Sequence, residues 1–396
     1  MSARFGKSAP AAITAIGMVT PAGHGAEASC AALRAGLTRF AELPAVTLPD
    51  DDGEPTPVIG ASVTGITCGT RGLGRFTRLA ADGLRDLAYA AQLASAVSAG
   101  SGASAGSAGS GASAGGEANR ASAALAGANL YLALPEPDRT PDGDRVAREI
   151  GARVERFTGI RGLAARTRVF PRGGAGFVEA LAMALADLAR GEASLAVVGG
   201  VDSLVESEAV QRLDAERRLK GPDCRVGLIP GEGAGFVLLE PRARMEARGV
   251  TALAMVEAAS TAVEPVTLAS GEPCDGAGLF AAMQPALARA PATGEEALLL
   301  LTDLNGEPYR SEELGYALTR ARRVSSRPFR VTHIADTIGE TGAASPAISL
   351  GAGARALARG YARAKEAILL ASSAGGLRGA AYLGLPEAWG KGRGGR

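Results

Sequence analysis

The chain is poor in the residues that most often carry metal, redox or acid–base chemistry. It has only two histidines, His24 and His333, and four cysteines in 396 residues. The cysteines, Cys30, Cys68, Cys224 and Cys274, lie far apart with no CxxC pair. That spacing excludes a zinc ribbon or a disulfide framework and reads as reduced thiols, so neither a metal nor a cofactor is expected. An excess of charge is missing as well: 42 basic residues against 41 acidic leave a net +1, which gives no global attraction to nucleic acid or to a membrane. No apolar run approaches the roughly 18 residues a membrane span requires. Arg4 and Lys7 precede APAAITAIGMV as in a signal peptide, but Thr14, Gly17, Thr20 and Pro21 interrupt the run. The pattern fits a buried strand ending in a turn, and a cytoplasmic protein is expected.

The 46% of hydrophobic residues and 21% of charged ones are those of an ordinary globular chain, long enough for two domains or one duplicated unit. Residues 12–19 predict a strand closed by TPAGHG, 26–36 a helix, and 75–94 a second helix with apolar residues at helical spacing. From 97 to 118 a Ser/Gly/Ala tract loses all periodicity and predicts a flexible surface insertion. Strand signal returns at 128–134, a helix follows near 144–156, and Lys220–Asp223 predicts a turn. Helix EALAMALADLARG, strand SLAVVGG and strand AGFVLLE then recur in the second half as helix 348–360, strand EAILLAS, Gly375-Gly376 and strand GAAYLGL. This order found twice predicts an internal duplication, with halves at 10–245 and 250–386 and a basic Gly-rich tail at 387–396. Strands alternating with helices predict an α/β fold with parallel or mixed sheets covered on both faces.

Several stretches resemble the β-ketoacyl-acyl-carrier-protein synthases, condensing enzymes of the thiolase-like fold. They are AAITAIGMVTPAGHG, RFTRLAADGL, LAVVGGVDSLV, IPGEGAGFVLLE (229–240), ADTIGETGAA (335–344) and SSAGGLRGAAYLG (372–384). The resemblance implies five layers, αβαβα, built from two pseudo-symmetric halves, and a dimer. It also directs attention to Glu232 and Gly233 in PGEGAG, and to Gly375 and Gly376 in the last hairpin, as residues of a cavity or glycine loop.

A condensing enzyme of this family needs a cysteine at a helix N-terminus, where the dipole lowers its pKa, and two histidines that stabilise an enolate. Counting back from Gly191 along the matched helix sets Gly174 against the family's cysteine. Asn305 stands for the first histidine, Asp336 for the second, and Val331 for the lysine five residues before it. Glycine supplies no nucleophile, and an asparagine amide moves no proton at neutral pH. Cys224 lies in a turn-like segment and lacks a helix N-terminal setting. His24 falls in the first turn, and His333, read as part of a strand, points away from Asp336. A carboxylate reaction using Asp336 and Glu307 with Asn305 stays open, as do cap and turn roles for these residues. The glycine runs at 231–235 and 374–379 lack the strand–GxxxxGK[ST]–helix context of a phosphate loop.

The resemblance therefore implies a condensation-incompetent relative, similar to the chain-length factors that pair with a true synthase in fatty-acid or polyketide-type biosynthesis. Those subunits carry glutamine at the cysteine position, and Gly174 departs from that pattern. The expected partners are a second copy of the chain or a cysteine-bearing synthase. An acyl carrier protein would be received by the arginines at 153, 156, 161, 166, 168 and 172 or at 320, 322, 323, 327 and 330, which otherwise form solvated helix faces. A scaffold in an unrelated system, and an active acyltransferase with a displaced nucleophile, remain as alternatives.

Overall fold

The structure, a computed structural model, describes residues 9–49, 53–98, 123–140, 142–221 and 224–386. Its first strand, β1 (Ala11–Thr20), is buried along its whole length, which its unbroken run of small and apolar residues permits. After the short β2 (Gly23–His24) and α1 (Ala26–Ala35), a separate hairpin forms from β3 (Ala41–Pro49) and β4 (Pro55–Gly60). Helix α2 (Gly72–Ser98) lies across β1, where Gly17 leaves room: a Cβ there would stand 2.3 Å from the Leu87 nitrogen. The next elements are β5 (Asn129–Leu134), α3 (Gly143–Thr158), β6 (Thr167–Pro171), α4 (Gly174–Arg190), β7 (Ala196–Ser203), α5 (Ser207–Ala215), β8 (Glu232–Pro241) and α6 (Arg242–Ala247).

The remaining chain runs through β9 (Ala254–Val263), α7 (Ala277–Leu287), β10 (Leu298–Leu301), α8 (Pro308–Ala321), β11 (Phe329–Thr332), α9 (Ala335–Ile338), α10 (Ser345–Ala358), β12 (Glu366–Ser372) and β13 (Leu377–Gly384). The two sets of strands are ordered alike. The order β6-β5-β7-β8-β1 answers β11-β10-β12-β13-β9, with two parallel pairings followed by two antiparallel ones in each set. Short pairing of β1 with β9 over Ala11–Ile13 makes the two sets one continuous sheet.

Helices α4 and α10 pack on strands of both sets, while α2 covers the outer face of the first and α7 that of the second. The result is the alternation αβαβα expected from the resemblance. Between the two sheet faces lies the largest core cluster, with Phe177, Leu181, Leu185, Ile348 and Leu350 all buried. Each such side chain removed from water contributes about 1.5–3 kcal/mol. On α4 the residues Ala180, Ala182 and Ala184 are buried too, and their short side chains let both sheets approach the helix.

Several boundaries differ from the sequence reading. The β3–β4 hairpin was not anticipated, because Pro44, Pro49, Pro55 and Pro57 mask its alternation; it lies outside the main sheet, where proline is tolerated. Residues 97 and 98, assigned to the flexible insertion, form the last turn of α2, and the rest of that tract from 99 to 118 lies outside the described residues. The tail at 387–396 and most of the Lys220–Asp223 turn lie outside them as well. Strand β10 stops at Leu301, so Asp303 and Asn305 sit in the loop beyond it.

Candidate functional site

Helix α4 starts where β6 ends, and the turn between them needs a left-handed residue. Gly173 fills it at φ 67. Ser373, the residue directly after β12 in the other set of strands, then ties the helix start down. Its Oγ accepts from the Ala175 N–H at 3.0 Å and donates to the Arg172 carbonyl at 2.5 Å. Beside this turn lies a cavity of about 90 Å³, walled by Gly173, Gly174, Asp202, Asn305, Glu340 and Ser372, with Arg212 and Arg310 among the residues that complete it. It draws on both sets of strands. A wider cleft of about 350 Å³ adjoins it through Arg139, Arg218, Arg310 and Ser373.

Gly174 and Asn305 thus come to one cavity. Gly174 has little space around it: a Cβ would lie 2.8 Å from the Ser372 carbonyl oxygen, closer than real Cβ atoms approach. The Asn305 amide is fully engaged. Its Nδ2 donates to Glu340 Oε2 at 2.7 Å and to Glu307 Oε2 at 2.9 Å, and its Oδ1 accepts from the Glu307 N–H at 3.1 Å.

Asp336 requires a correction. It does not line the cavity; it is exposed and faces His333, with His333 Nε2 3.9 Å from Asp336 Oδ2. The segment is a helical turn, not a strand, and an i,i+3 spacing brings the two side chains to one side. Four residues on, Glu340 takes the place in the cavity wall. Its Oε1 accepts from the Gly342 N–H at 2.7 Å, and burial raises its carboxyl above the usual range.

Asp202, unremarked in the sequence, is the second carboxylate of the wall. Its oxygens accept from the Ser203 and Ala343 N–H groups, each at 2.8 Å. Burial pushes it up to about 7 against those two bonds, and the nearby Glu340 charge adds to the rise. Glu307 behaves oppositely. Burial would raise it, but Arg218, with Nε 2.7 Å from Oε1 and Nη2 3.1 Å from Oε2, holds it below the ordinary value.

The glycine-loop candidates divide. Glu232 is fully buried away from the cavity, where Arg75 grips both its oxygens at 2.6 and 2.9 Å and Thr67, Ser203 and the Val63 N–H complete its bonds. Gly233 packs under the Val19 carbonyl and Ile348, so both residues of PGEGAG brace layers and line neither the cavity nor the cleft. The Gly375 N–H donates to Glu136 Oε1 at 2.8 Å at the cavity rim, and Gly376 turns the hairpin at φ 89.

None of the described cysteines lines the cavity. Burial pushes Cys30 up to about 11 and raises Cys274, while Cys224 donates to the Arg217 carbonyl. Glu264, Cys274 and Glu313 bring one ligand atom each within 4.8 Å of one another. Arg378 Nε, however, stands 2.6 Å from Glu313 Oε1 and supplies the cation there, which opposes a second one.

Many of the arginines considered for a carrier protein are tied up within the fold. Arg153 pairs with Glu149, Arg168 with Asp187, Arg172 with Glu179, Arg320 with Asp275 and Arg327 with Glu366. A different group, Arg139, Arg217, Arg218, Arg310 and Arg378, lines the cleft that adjoins the cavity. Sequence reading missed it because its members come from four separate segments.

Comparison with known proteins decides the relationship. The family described as Beta-ketoacyl synthase, N-terminal domain matches residues 8–244, more than half of the chain. The chain belongs to the β-ketoacyl synthase family. Among solved structures it is similar to a type II polyketide synthase acyl-carrier protein in complex with its ketosynthase bound to the hexaketide, at TM-score 0.71 and 13% identity over 96% of this chain and 99% of that one. The ishigamide ketosynthase/chain length factor gives 0.69 and 15% over 96% and 99%. The ketosynthase from module 6 of the bacillaene synthase of Bacillus subtilis 168 gives 0.67 and 13% over 95% and 72%. These likenesses show the thiolase-like ketosynthase fold. No curated protein sequence matches the chain. Among the described residues, no helix of this β-ketoacyl synthase relative is long and apolar enough to cross a membrane.

Proposed function

We propose that the chain is a non-condensing β-ketoacyl synthase relative that acts as the partner subunit of a cysteine-bearing synthase, in the manner of a chain-length factor, in fatty-acid or polyketide-type biosynthesis. One observation carries the reading. The start of α4, where the family's cysteine belongs, holds Gly174 pressed so near the Ser372 carbonyl that no side chain fits without movement. The Asn305 amide, bound on both sides by carboxylates, offers no proton relay, and Glu340 brings a carboxylate to a cavity where an enolate would need a donor. A displaced nucleophile gains no support, since the described thiols lie outside the cavity and Cys30 and Cys274 are held protonated by burial.

The partner role rests on other features. Strand β6 ends the sheet and, among the described residues, pairs only with β5, which leaves an edge for a second subunit. Arg217, exposed in the cleft beside the cavity, suits the acidic surface of an acyl carrier protein, whereas Arg139, Arg218 and Arg378 are already paired with Glu216, Glu307 and Glu313. One similar structure is titled as a ketosynthase/chain length factor and another as an acyl-carrier protein in complex with its ketosynthase.

Co-expression with the cysteine-bearing synthase encoded nearest to it tests the proposal. The expected result is a stable heterodimer that makes longer or more uniform products than the synthase alone. Co-purification with an unrelated assembly and no synthase would favour a scaffold. Carbon–carbon bond formation by the isolated chain, or acyl mass on one of its cysteines, would overturn the reading.

A further inference from the structure

Among the described residues, five buried side-chain nitrogen or oxygen atoms have no hydrogen-bond partner. Three of them, Arg212 Nε, Arg310 Nη1 and Ser372 Oγ, belong to residues that wall the same cavity beside α4. The nearest carboxylates to Arg310 Nη1 are Asp303 at 3.8 Å and Glu313 at 3.9 Å, too far for hydrogen bonds. A buried donor left unmade costs about 1–3 kcal/mol and more when charged. Three such donors on residues of one wall mark this space as a place where an acceptor is wanted.

The charge of that acceptor follows from the surroundings. Arg212 is held below its ordinary pKa by burial and by the neighbouring Arg139, so an anion beside it relieves both. Helix α4, 17 residues long, begins at Gly174 in the same wall and adds the positive end of its dipole. The carboxyls facing the space are Glu136, Asp202, Asp303 and Glu340, of which Asp202 and Glu340 are pushed by burial toward the neutral form. A planar, singly charged group with two oxygens matches guanidinium donors. A phosphate dianion would set a second charge against the remaining acids. A volume of about 90 Å³ equals roughly three waters at liquid density, which suits an occupant of a few heavy atoms.

We propose that the cavity at the start of α4 binds a small carboxylate, which accepts hydrogen bonds from Arg212 Nε, Arg310 Nη1 and Ser372 Oγ. The site is independent of whether the chain partners a synthase. Its function is that of a resident anion or an effector, held where catalytic relatives do chemistry.

Calorimetric titration of the full-length protein with formate, acetate and inorganic phosphate at fixed ionic strength tests this. Formate or acetate is expected to saturate a single site, with phosphate at least tenfold weaker. Arg310→Gln and Arg212→Lys should each weaken carboxylate binding at least tenfold, the second because it keeps the charge but removes Nε. Arg145→Gln, which alters an exposed arginine paired with Glu149, should leave it unchanged. Ser372→Ala removes only a hydroxyl and carries the variant arm if an arginine substitution unfolds the chain. Absence of saturable carboxylate binding in the wild type, tighter binding of phosphate, or an equal loss in Arg145→Gln would each overturn the proposal.

Discussion

The α carbon of Gly174 faces the carbonyl oxygen of Ser372, and a Cβ built on it would sit 2.8 Å from that oxygen. The contact joins the first turn of α4 to the end of β12, so neither partner can withdraw without moving a layer. Restoring the family's cysteine therefore overpacks the site. Gly174→Cys is expected to lower stability by about 1–3 kcal/mol, to lower the melting temperature as Gly174→Ala also should, and to form no acyl-enzyme with a thioester donor. Mass spectrometry and thermal melts check both statements; a labelled, stable Gly174→Cys protein would contradict them.

Asn305 keeps two carboxylates apart by donating to both. Asn305→Ala leaves Glu340 Oε2 without its donor and facing Glu307, which keeps Arg218. A loss of about 1–3 kcal/mol is expected in urea unfolding. The loss should shrink at acid pH, where protonation lets one carboxyl donate to the other.

The buried Asp202 gives the fold an unusual response to pH. Its carboxyl is raised from the ordinary 3.8 to about 7, so the folded protein holds a proton that the unfolded chain releases above pH 4. Stability from this group is thus full at low pH and is lost as pH rises toward 7, by up to about 1.4 kcal/mol per pH unit. Asp202→Asn should flatten the stability curve in that window. An unchanged slope would show that Asp202 ionises normally.

Glu232 has no exposure, and Arg75 is its counter-ion. Removing the arginine leaves a buried charge, so Arg75→Ala is expected to cost about 3–5 kcal/mol. Glu232→Gln in the same background should recover part of that loss, because it removes the stranded charge. Chemical denaturation of the single and double variants measures both.

The thiols should divide by accessibility. Cys68 is exposed, whereas Cys30 and Cys274 are buried with raised pKa values. A disulfide reagent at neutral pH is expected to modify Cys68 first and to reach Cys30 and Cys274 only on unfolding.

The repeated order of helix, strand, Gly-Gly and strand was legible because β7, β8, β12 and β13 each carry a small-residue and apolar stretch, buried in both halves. The cavity was half legible. Gly174 could be counted from Gly191, and Asn305 follows a strand of four leucines. The carboxylate at the third position could not be located from spacing alone. The segment from Phe329 to Glu340 changes from strand to a single helical turn, and a four-residue shift separates exposed Asp336 from Glu340. Asp202 and Arg310 gave no signal of their own, since nothing local in GGVDS or in PYRSEE tells that β7 and α8 will point them into one space. The hairpin at 41–60 was hidden for a different reason: its prolines suit a strand pair that stands apart from the large sheet.

Small residues act as shims throughout the centre of the molecule. Besides Gly174, a methyl at Gly200 would strike the Ala343 carbonyl at 2.2 Å, and one at Gly235 would meet the Ile348 nitrogen at 2.7 Å. The sandwich therefore has a fixed thickness, set by the width of bare backbone. Drift in sequence can redecorate its loops and empty its former reaction centre, but enlarging any of these spacers would pry the layers open and spoil the cavity along with the fold.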